Sequence, residues 1–281
     1  MLSYRHGFHA GNPADVLKHG VLVFCLEYFK KKEKPFLCID THGGAGRYSL
    51  TGGYAVKNRE WEAGIGRLSV PDTPLPPMLE NYRKIIAGYP HVYPGSPEII
   101  RALIRPQDKA VCFELHPEDF RLLAGSLKDD RRFSVKREDG FGGLKSLLPP
   151  PSRRGLVLID PSYEEKADYT AVPEILAGAL RRFPGGTYIV WYPLLSRYGI
   201  SEKFPAELLG LFRGNRCGAE LYTASRNHVP GNSPRGMYGS GLAIFNPPWT
   251  LKSALEETLP VLASRMGTGK EGWKLRWEPG V

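Results

Sequence analysis

The chain has 281 residues, of which 42% are hydrophobic and 24% charged. That composition excludes a disordered chain or a fibre and fits one large domain or a domain with an insert. Lysine and arginine outnumber aspartate and glutamate by 38 to 29, a formal net charge of +9; the excess suits a polyanionic partner without choosing among nucleic acid, membrane and acidic substrate. The cysteines Cys25, Cys38, Cys112 and Cys217 lack C-x-x-C spacing, so neither a structural disulfide nor a zinc site is expected. The apolar stretch from Val21 to Leu26 is too short for a membrane span or a secretory segment, and the chain reads as cytoplasmic.

Along the chain, the first element is a helix. Asn12 stands as its N-cap, Pro13 at its first position and Asp15 in its first turn, and Leu17, Val21, Phe24, Cys25 and Tyr28 follow helical spacing. Lys30, Lys31 and Lys32 at its end suit either the helix dipole or a contact with RNA. Apolar runs follow at 35–40, 110–115, 154–160, 187–192, 219–224 and 241–246. Their continuous apolar character marks strands covered on both faces. They alternate with helical patterns, one from roughly 171 to 183, which gives a doubly wound α/β sheet with ligands beyond the carboxyl ends of its strands.

The first run ends in Asp40-Thr-His-Gly-Gly-Ala-Gly46. Such a glycine turn lets backbone approach a ligand closely. It is neither a nicotinamide fingerprint nor a Walker loop; an acid before a short glycine turn resembles the first motif of S-adenosylmethionine (AdoMet)-dependent methyltransferases. Glu114 at the second strand's end fits the acid that binds ribose hydroxyls, although it lies 74 residues after Asp40, rather than about 20. The surplus reads as a small helical insert over about 50–97, rich in Gly, Pro and charge around P-P-M-L-E-N-Y-R-K-I-I. A further run, F-S-V-K-R-E-D-G-F, ends in Asp139-Gly140, placed to contact an adenine ring.

The fourth strand ends in Asp160-Pro161-Ser162-Tyr163, which resembles the [DNS]-P-P-[YFW] signature of enzymes that methylate exocyclic amines of bases. An adenine N6 is a poor nucleophile because its lone pair is delocalised into the ring. The Asp160 carboxylate and the Pro161 carbonyl can each accept an N–H bond, drawing the nitrogen toward tetrahedral geometry, while Tyr163 can stack on the extruded base. Ser162 departs from the signature: Pro161 still supplies the carbonyl, but the turn loses a rigid ring. Asn246-Pro-Pro-Trp249 matches the signature more literally. In such a sheet, however, the last strand runs antiparallel and its end opens away from the cofactor, so the two prolines read as strand termination.

Taken together, Tyr4-Arg5-His6, His9-Ala-Gly-Asn12, Asp15-Val-Leu-Lys18-His19, the Asp40–Tyr48 segment, Tyr93-Pro-Gly-Ser96-Pro97, Glu114-Leu-His-Pro117, Asp139-Gly140-Phe141 and the Asp160 motif resemble the RlmJ family of bacterial 23S rRNA adenine-N6 methyltransferases, in consistent order over nearly the whole chain. The resemblance implies one Rossmann-like class I AdoMet-dependent methyltransferase domain over 1–281, with a mostly parallel doubly wound sheet and the inserted helical subdomain. It implies AdoMet as cofactor, held by His19, His42, Ser96, Glu114, Asp139, Gly140 and Asp160. Asp160, Pro161 and Tyr163 would be catalytic, and the product would be N6-methyladenine in 23S rRNA. Residues 1–12 would form a tail over the active site, with Tyr4, Arg5, His6 and Lys18 binding the RNA.

Other groupings point elsewhere. His6, His9, Asp15 and His19 lack metal-ligand spacing, so no metal is expected. Ser96 and Ser162 lack a G-x-S-x-G elbow, which argues against a hydrolase. The acid-free stretch 223–240 carries Arg226, His228, Arg235 and Tyr238 and suits an RNA backbone. No obligate protein partner is evident, and a monomer is expected. Two alternatives remain open on the residues alone: N6-adenine methylation of DNA, and a nucleic-acid-binding protein, linked to use of external DNA, whose catalytic motif Ser162 weakens.

Overall fold

The structure, a computed structural model, describes residues 6–51, 58–68, 74–196, 200–224, 236–267 and 272–280. After a 3₁₀ turn at His6–Phe8 comes α1 (Pro13–Lys30), capped by the Asn12 side chain, which accepts the Asp15 N–H at 3.0 Å. Then follow β1 (Leu37–Asp40), β2 (Arg47–Ser49), a short α2 (Glu60–Ala63), a 3₁₀ turn at Ile65–Leu68, α3 (Pro77–Ala87), β3 (Val92–Pro94), α4 (Ser96–Leu103) and β4 (Lys109–Phe113). The second half runs α5 (Pro117–Leu127), β5 (Phe133–Lys136), α6 (Gly140–Leu147), β6 (Gly155–Ile159), α7 (Asp168–Arg182), β7 (Thr187–Leu195), α8 (Ile200–Gly210), β8 (Arg216–Tyr222), β9 (Met237–Phe245), α9 (Leu251–Met266) and β10 (Gly272–Glu278).

Eight strands form one sheet in the order β10-β8-β9-β7-β6-β1-β4-β5. The stretch from β7 to β5 is parallel; β9 is antiparallel to both β7 and β8, and β10 is antiparallel to β8. Successive strand residues bury into opposite layers: Cys38 and Leu156 pack with α1, α3, α4 and α9, whereas Ile39 and Val157 pack with α6, α7 and α8. Two covered faces are why the central runs are apolar without alternation. The four cysteines are free and buried among these layers.

Several boundaries differ from the sequence reading. The helix expected from 171 begins at Asp168, since the acid favours a first helical turn. The strand expected at 219–224 lies at Arg216–Tyr222. β9 starts four residues before its apolar run, at Met237. Its Gly241 makes the pairing possible, since a Cβ there would sit 2.4 Å from the Tyr192 ring. The 50–97 region contributes β3, which pairs with β2, and α3, whose buried Met78, Leu79 and Tyr82 join the core around α1.

Candidate active site

The carboxyl ends of β1, β4, β6 and β7 and the N-terminus of α1 converge on a cavity of about 390 Å³. Asp40 closes β1 and is fully buried. Its Oδ1 accepts the His42 N–H at 3.2 Å, whereas its Oδ2 is buried with no hydrogen-bond partner. Burial pushes the Asp40 carboxyl up to about 6. The glycine turn that follows wraps tightly. Gly44 and Gly46 hold φ of +59° and +75°, and a Cβ on Gly43 would lie 2.8 Å from Leu123. Here the turn needs glycine both for left-handed backbone and for close approach.

Glu114, just beyond β4, reaches across to this turn and accepts the Gly44 N–H at 2.8 Å and the His116 N–H at 2.7 Å. Burial raises its pKa. Asp139 caps α6, accepting the N–H groups of Phe141 and Gly142 at 3.1 and 3.0 Å. Gly140 sits so close to β1 that a Cβ would meet the Thr41 carbonyl at 2.1 Å. His42 stands edge-on to Phe141, with centroids 5.0 Å apart, and burial holds its pKa down at about 4. Ser96 begins α4, is buried and lines the cavity.

At the end of β6, the Asp160 side chain is only 14% exposed, and its Oδ2 accepts from Lys18 Nζ at 2.5 Å. The same ammonium pairs with Asp15 Oδ1 at 2.8 Å, and Asp15 Oδ2 in turn meets His6 Nε2 at 3.0 Å and accepts the Gly11 N–H at 2.9 Å. Burial works against both charges, but mutual attraction wins: Asp15 lies well below the usual carboxylate range and Lys18 lies above its own. Lys18, expected to bind substrate, is therefore buried and commits its charge to two carboxylates. His19 is buried too, hydrogen-bonded through Nδ1 to the Tyr93 hydroxyl at 2.6 Å, and burial drives its pKa down to about 3, so the ring is neutral.

Pro161 is buried, and Tyr163 is 3% exposed at a φ of +51°. The Tyr163 hydroxyl donates to the Trp191 carbonyl at 2.9 Å, and its ring packs on Tyr169, Trp191 and Phe204. Tyr163 is thus a fixed wall of the cavity, and Trp191 stands beside it. Ser162 Oγ accepts the Glu164 N–H at 3.3 Å, a side-chain-to-backbone bond at the place where the signature has a ring. Asn246 lies at the opposite end of the sheet, its amide donating to the Pro184 and Gly186 carbonyls at 2.6 and 2.7 Å.

The grouping of His6, His9, Asp15 and His19 dissolves into separate partnerships, with His9 on Glu60 at 3.0 Å. Glu60 also accepts from Asn12, and the Ile65 N–H donates to the Gly11 carbonyl, so the 60–65 segment buttresses the described part of the tail. Tyr4, Arg5, Arg226, His228 and Arg235 lie outside the described residues. The sequence marks Asp40 as the acid before the glycine turn without giving it a cofactor contact, whereas Trp191, inside an apolar strand, carries no signal.

The chain is similar to known proteins over nearly its whole length. A family model described as "Ribosomal RNA large subunit methyltransferase D, RlmJ" matches residues 33–279. A Haemophilus influenzae protein named ribosomal RNA large subunit methyltransferase J is 43% identical over 287 aligned residues, covering 99% of each chain. Its Escherichia coli namesake is 44% identical over 278 residues, covering 96% of each. A Legionella pneumophila crystal structure superposes with a TM-score of 0.85 at 32% identity, covering 96% of this chain and 98% of that one.

Proposed function

The chain belongs to the RlmJ family of ribosomal RNA large subunit methyltransferases, and from that premise we propose that it transfers a methyl group from AdoMet to the exocyclic N6 of an adenine in bacterial 23S rRNA. One observation carries the choice of an amine as acceptor: Asp160 and Pro161 end the central strand β6 in the cavity, with the Asp160 carboxylate fixed by Lys18.

The cavity suits AdoMet on this chain's own terms. The unpartnered buried Asp40 Oδ2 is an acceptor in need of a cationic donor, and the glycines at 43–46 and 140 bring backbone close where a side chain would intrude. We assign the cofactor to Asp40 together with His19, His42, Ser96, Glu114, Asp139, Gly140 and Asp160. When bound, AdoMet supplies an electrophilic methyl on a sulfonium.

The protein's part is orientation. Lys18 holds Asp160 Oδ2, leaving Oδ1 to accept one N–H of the adenine amine while the Pro161 carbonyl accepts the other. Those two bonds draw the nitrogen toward tetrahedral geometry and its lone pair out of conjugation with the ring. The fixed Asp160 carboxylate would stabilise the positive charge that the amine nitrogen would gain on accepting the methyl group. His19 and His42, neutral with pKa values of about 3 and 4, are poor proton acceptors; the proton of the methylated, cationic amine would pass to water. Tyr163 and Trp191 wall the space for the extruded base. We assign Tyr4, Arg5 and His6 to the RNA substrate; of the described tail, His6, His9 and Asn12 border the cavity and residues 60–65 support it. We assign this activity to a cytoplasmic monomer.

Incubating the protein with methyl-labelled AdoMet and separate pools of 23S rRNA, tRNA and DNA, followed by nucleoside analysis, tests the reading. Label in N6-methyladenosine from 23S rRNA is expected. Label confined to DNA, or to another position of adenine, would replace it.

A further inference from the structure

The described residues at the mouth of the active site include several acids, Glu138, Asp139, Glu164, Glu165 and Asp168, which favour a cationic cofactor and repel phosphates. Among the described residues, a cluster of exposed bases lies at the other end of the sheet. The loops feeding the N-terminal ends of the parallel strands carry exposed Lys31, Lys32 and Lys34 around an exposed Glu33 before β1, Arg153 before β6, and Arg181 and Arg182 before β7. Lys18 and Lys31 are thirteen residues apart along α1, which places the basic edge about 20 Å from the catalytic pair.

This edge is joined structurally. Arg154 donates to the carbonyls of Lys34 and Phe29, tying the loop before β6 to the end of α1. Arg105 donates to the carbonyls of Lys30 and Lys32 from the loop before β4. Burial first, and then the neighbouring Arg105, lower the Arg154 pKa against the pull of Asp108. At the same edge β9 ends and Trp249 follows, 77% exposed, in a loop fixed to the start of β7 through Asn246. From β1 across β6 and β7 to β9 is three strand spacings, roughly 15 Å, enough to meet several phosphates of one RNA helix.

We propose that this basal edge is a second RNA-binding surface, which grips the phosphate backbone of the same rRNA away from the target nucleotide and stacks a base or helix end on Trp249. The proposal rests on the rRNA methyltransferase reading. It separates two tasks: the acidic mouth admits cofactor and base, and the basal edge holds the polymer.

The test compares the wild type with the K31E/K32E/K34E variant and with Trp249→Ala. The RNAs are 23S rRNA and the shortest fragment of it that still accepts a methyl group. Exposed lysines and an exposed tryptophan leave the fold intact, which unchanged melting temperatures would verify. The triple variant should bind the long RNA at least about tenfold more weakly, with a log–log salt slope shallower by about 0.7–0.9 per lost contact. Its affinity for the short fragment, its AdoMet affinity and its single-turnover rate at saturating RNA should stay as in the wild type. Trp249→Ala should weaken long-RNA binding about tenfold at an unchanged salt slope. Equal affinity of the triple variant and the wild type for long RNA would overturn the proposal. So would charge-dependent binding to phosphatidylglycerol vesicles with no change on RNA. Methylation of no RNA by the wild type would instead mark failure of the underlying reading.

Discussion

At the scale of single residues, Asp40 ties electrostatics to ligand binding most directly. Its carboxyl has a pKa of about 6 in the fold against an ordinary 3.8. The stability it contributes is therefore full below about pH 4 and is lost as pH rises through about 6. A cationic ligand group beside Oδ2 prefers the ionised form, so AdoMet affinity is expected to rise across the same window, with a proton released on binding near pH 6. Calorimetry in two buffers of different ionisation enthalpy measures that release, and Asp40→Asn should abolish it. Ser162 gives a second prediction. Its hydroxyl replaces a proline ring by accepting the Glu164 N–H, next to a Tyr163 held at φ +51°. Ser162→Pro should keep kcat and AdoMet affinity at or above those of the parent, while Ser162→Ala should lower kcat severalfold with little change in KM for AdoMet. Equal kcat in all three would show that the turn needs no such support. The residue types were legible in the sequence, but the pairing of Lys18 with Asp160 was not. It joins residues 142 apart, and only the packing of α1 beside β6 brings them together.

At the scale of elements, the placement of α1 governs the site, because it carries Asp15, Lys18 and His19 within two turns. Its cap is built twice over, since Asn12 accepts the Asp15 N–H and donates to Glu60 at 3.1 Å. Asn12→Ala should cost about 1–2 kcal/mol, read as a lowered denaturant midpoint at unchanged slope. Gly140→Ala drives a methyl into the Thr41 carbonyl and should cost on the order of 1–3 kcal/mol, with a matching loss of AdoMet affinity; full affinity would mean that α6 can shift without harm. The central strands and α1 were readable because two-sided burial and a capped start leave strong local marks. β10 left a weaker one: Trp273, Leu275 and Trp277 alternate with polar residues at a sheet edge. The early start of β9 left none, since Gly239 and Gly241 enter the sheet for the space they leave rather than for their apolarity.

At the scale of the whole molecule, the described residues at the two ends of the sheet differ in charge. Its carboxyl end carries the buried ion network and an acid-rich mouth; its amino end carries exposed lysines and arginines. Composition alone could reveal the excess of nine positive charges but not this polarity. Strand direction decides which loops share an edge, and that is a property of topology. Among the described residues no helix is long and apolar enough to cross a membrane. The central claim, however, is chemical: Asp160 organises an amine for attack on a methyl group. Single-turnover methyl transfer to 23S rRNA by Asp160→Ala, with AdoMet affinity measured on the same protein, tests it most directly. At saturating AdoMet, transfer should fall by at least about 10²-fold, beyond any loss of AdoMet affinity, while the variant stays folded. Near-normal transfer by a folded Asp160→Ala protein would contradict the account.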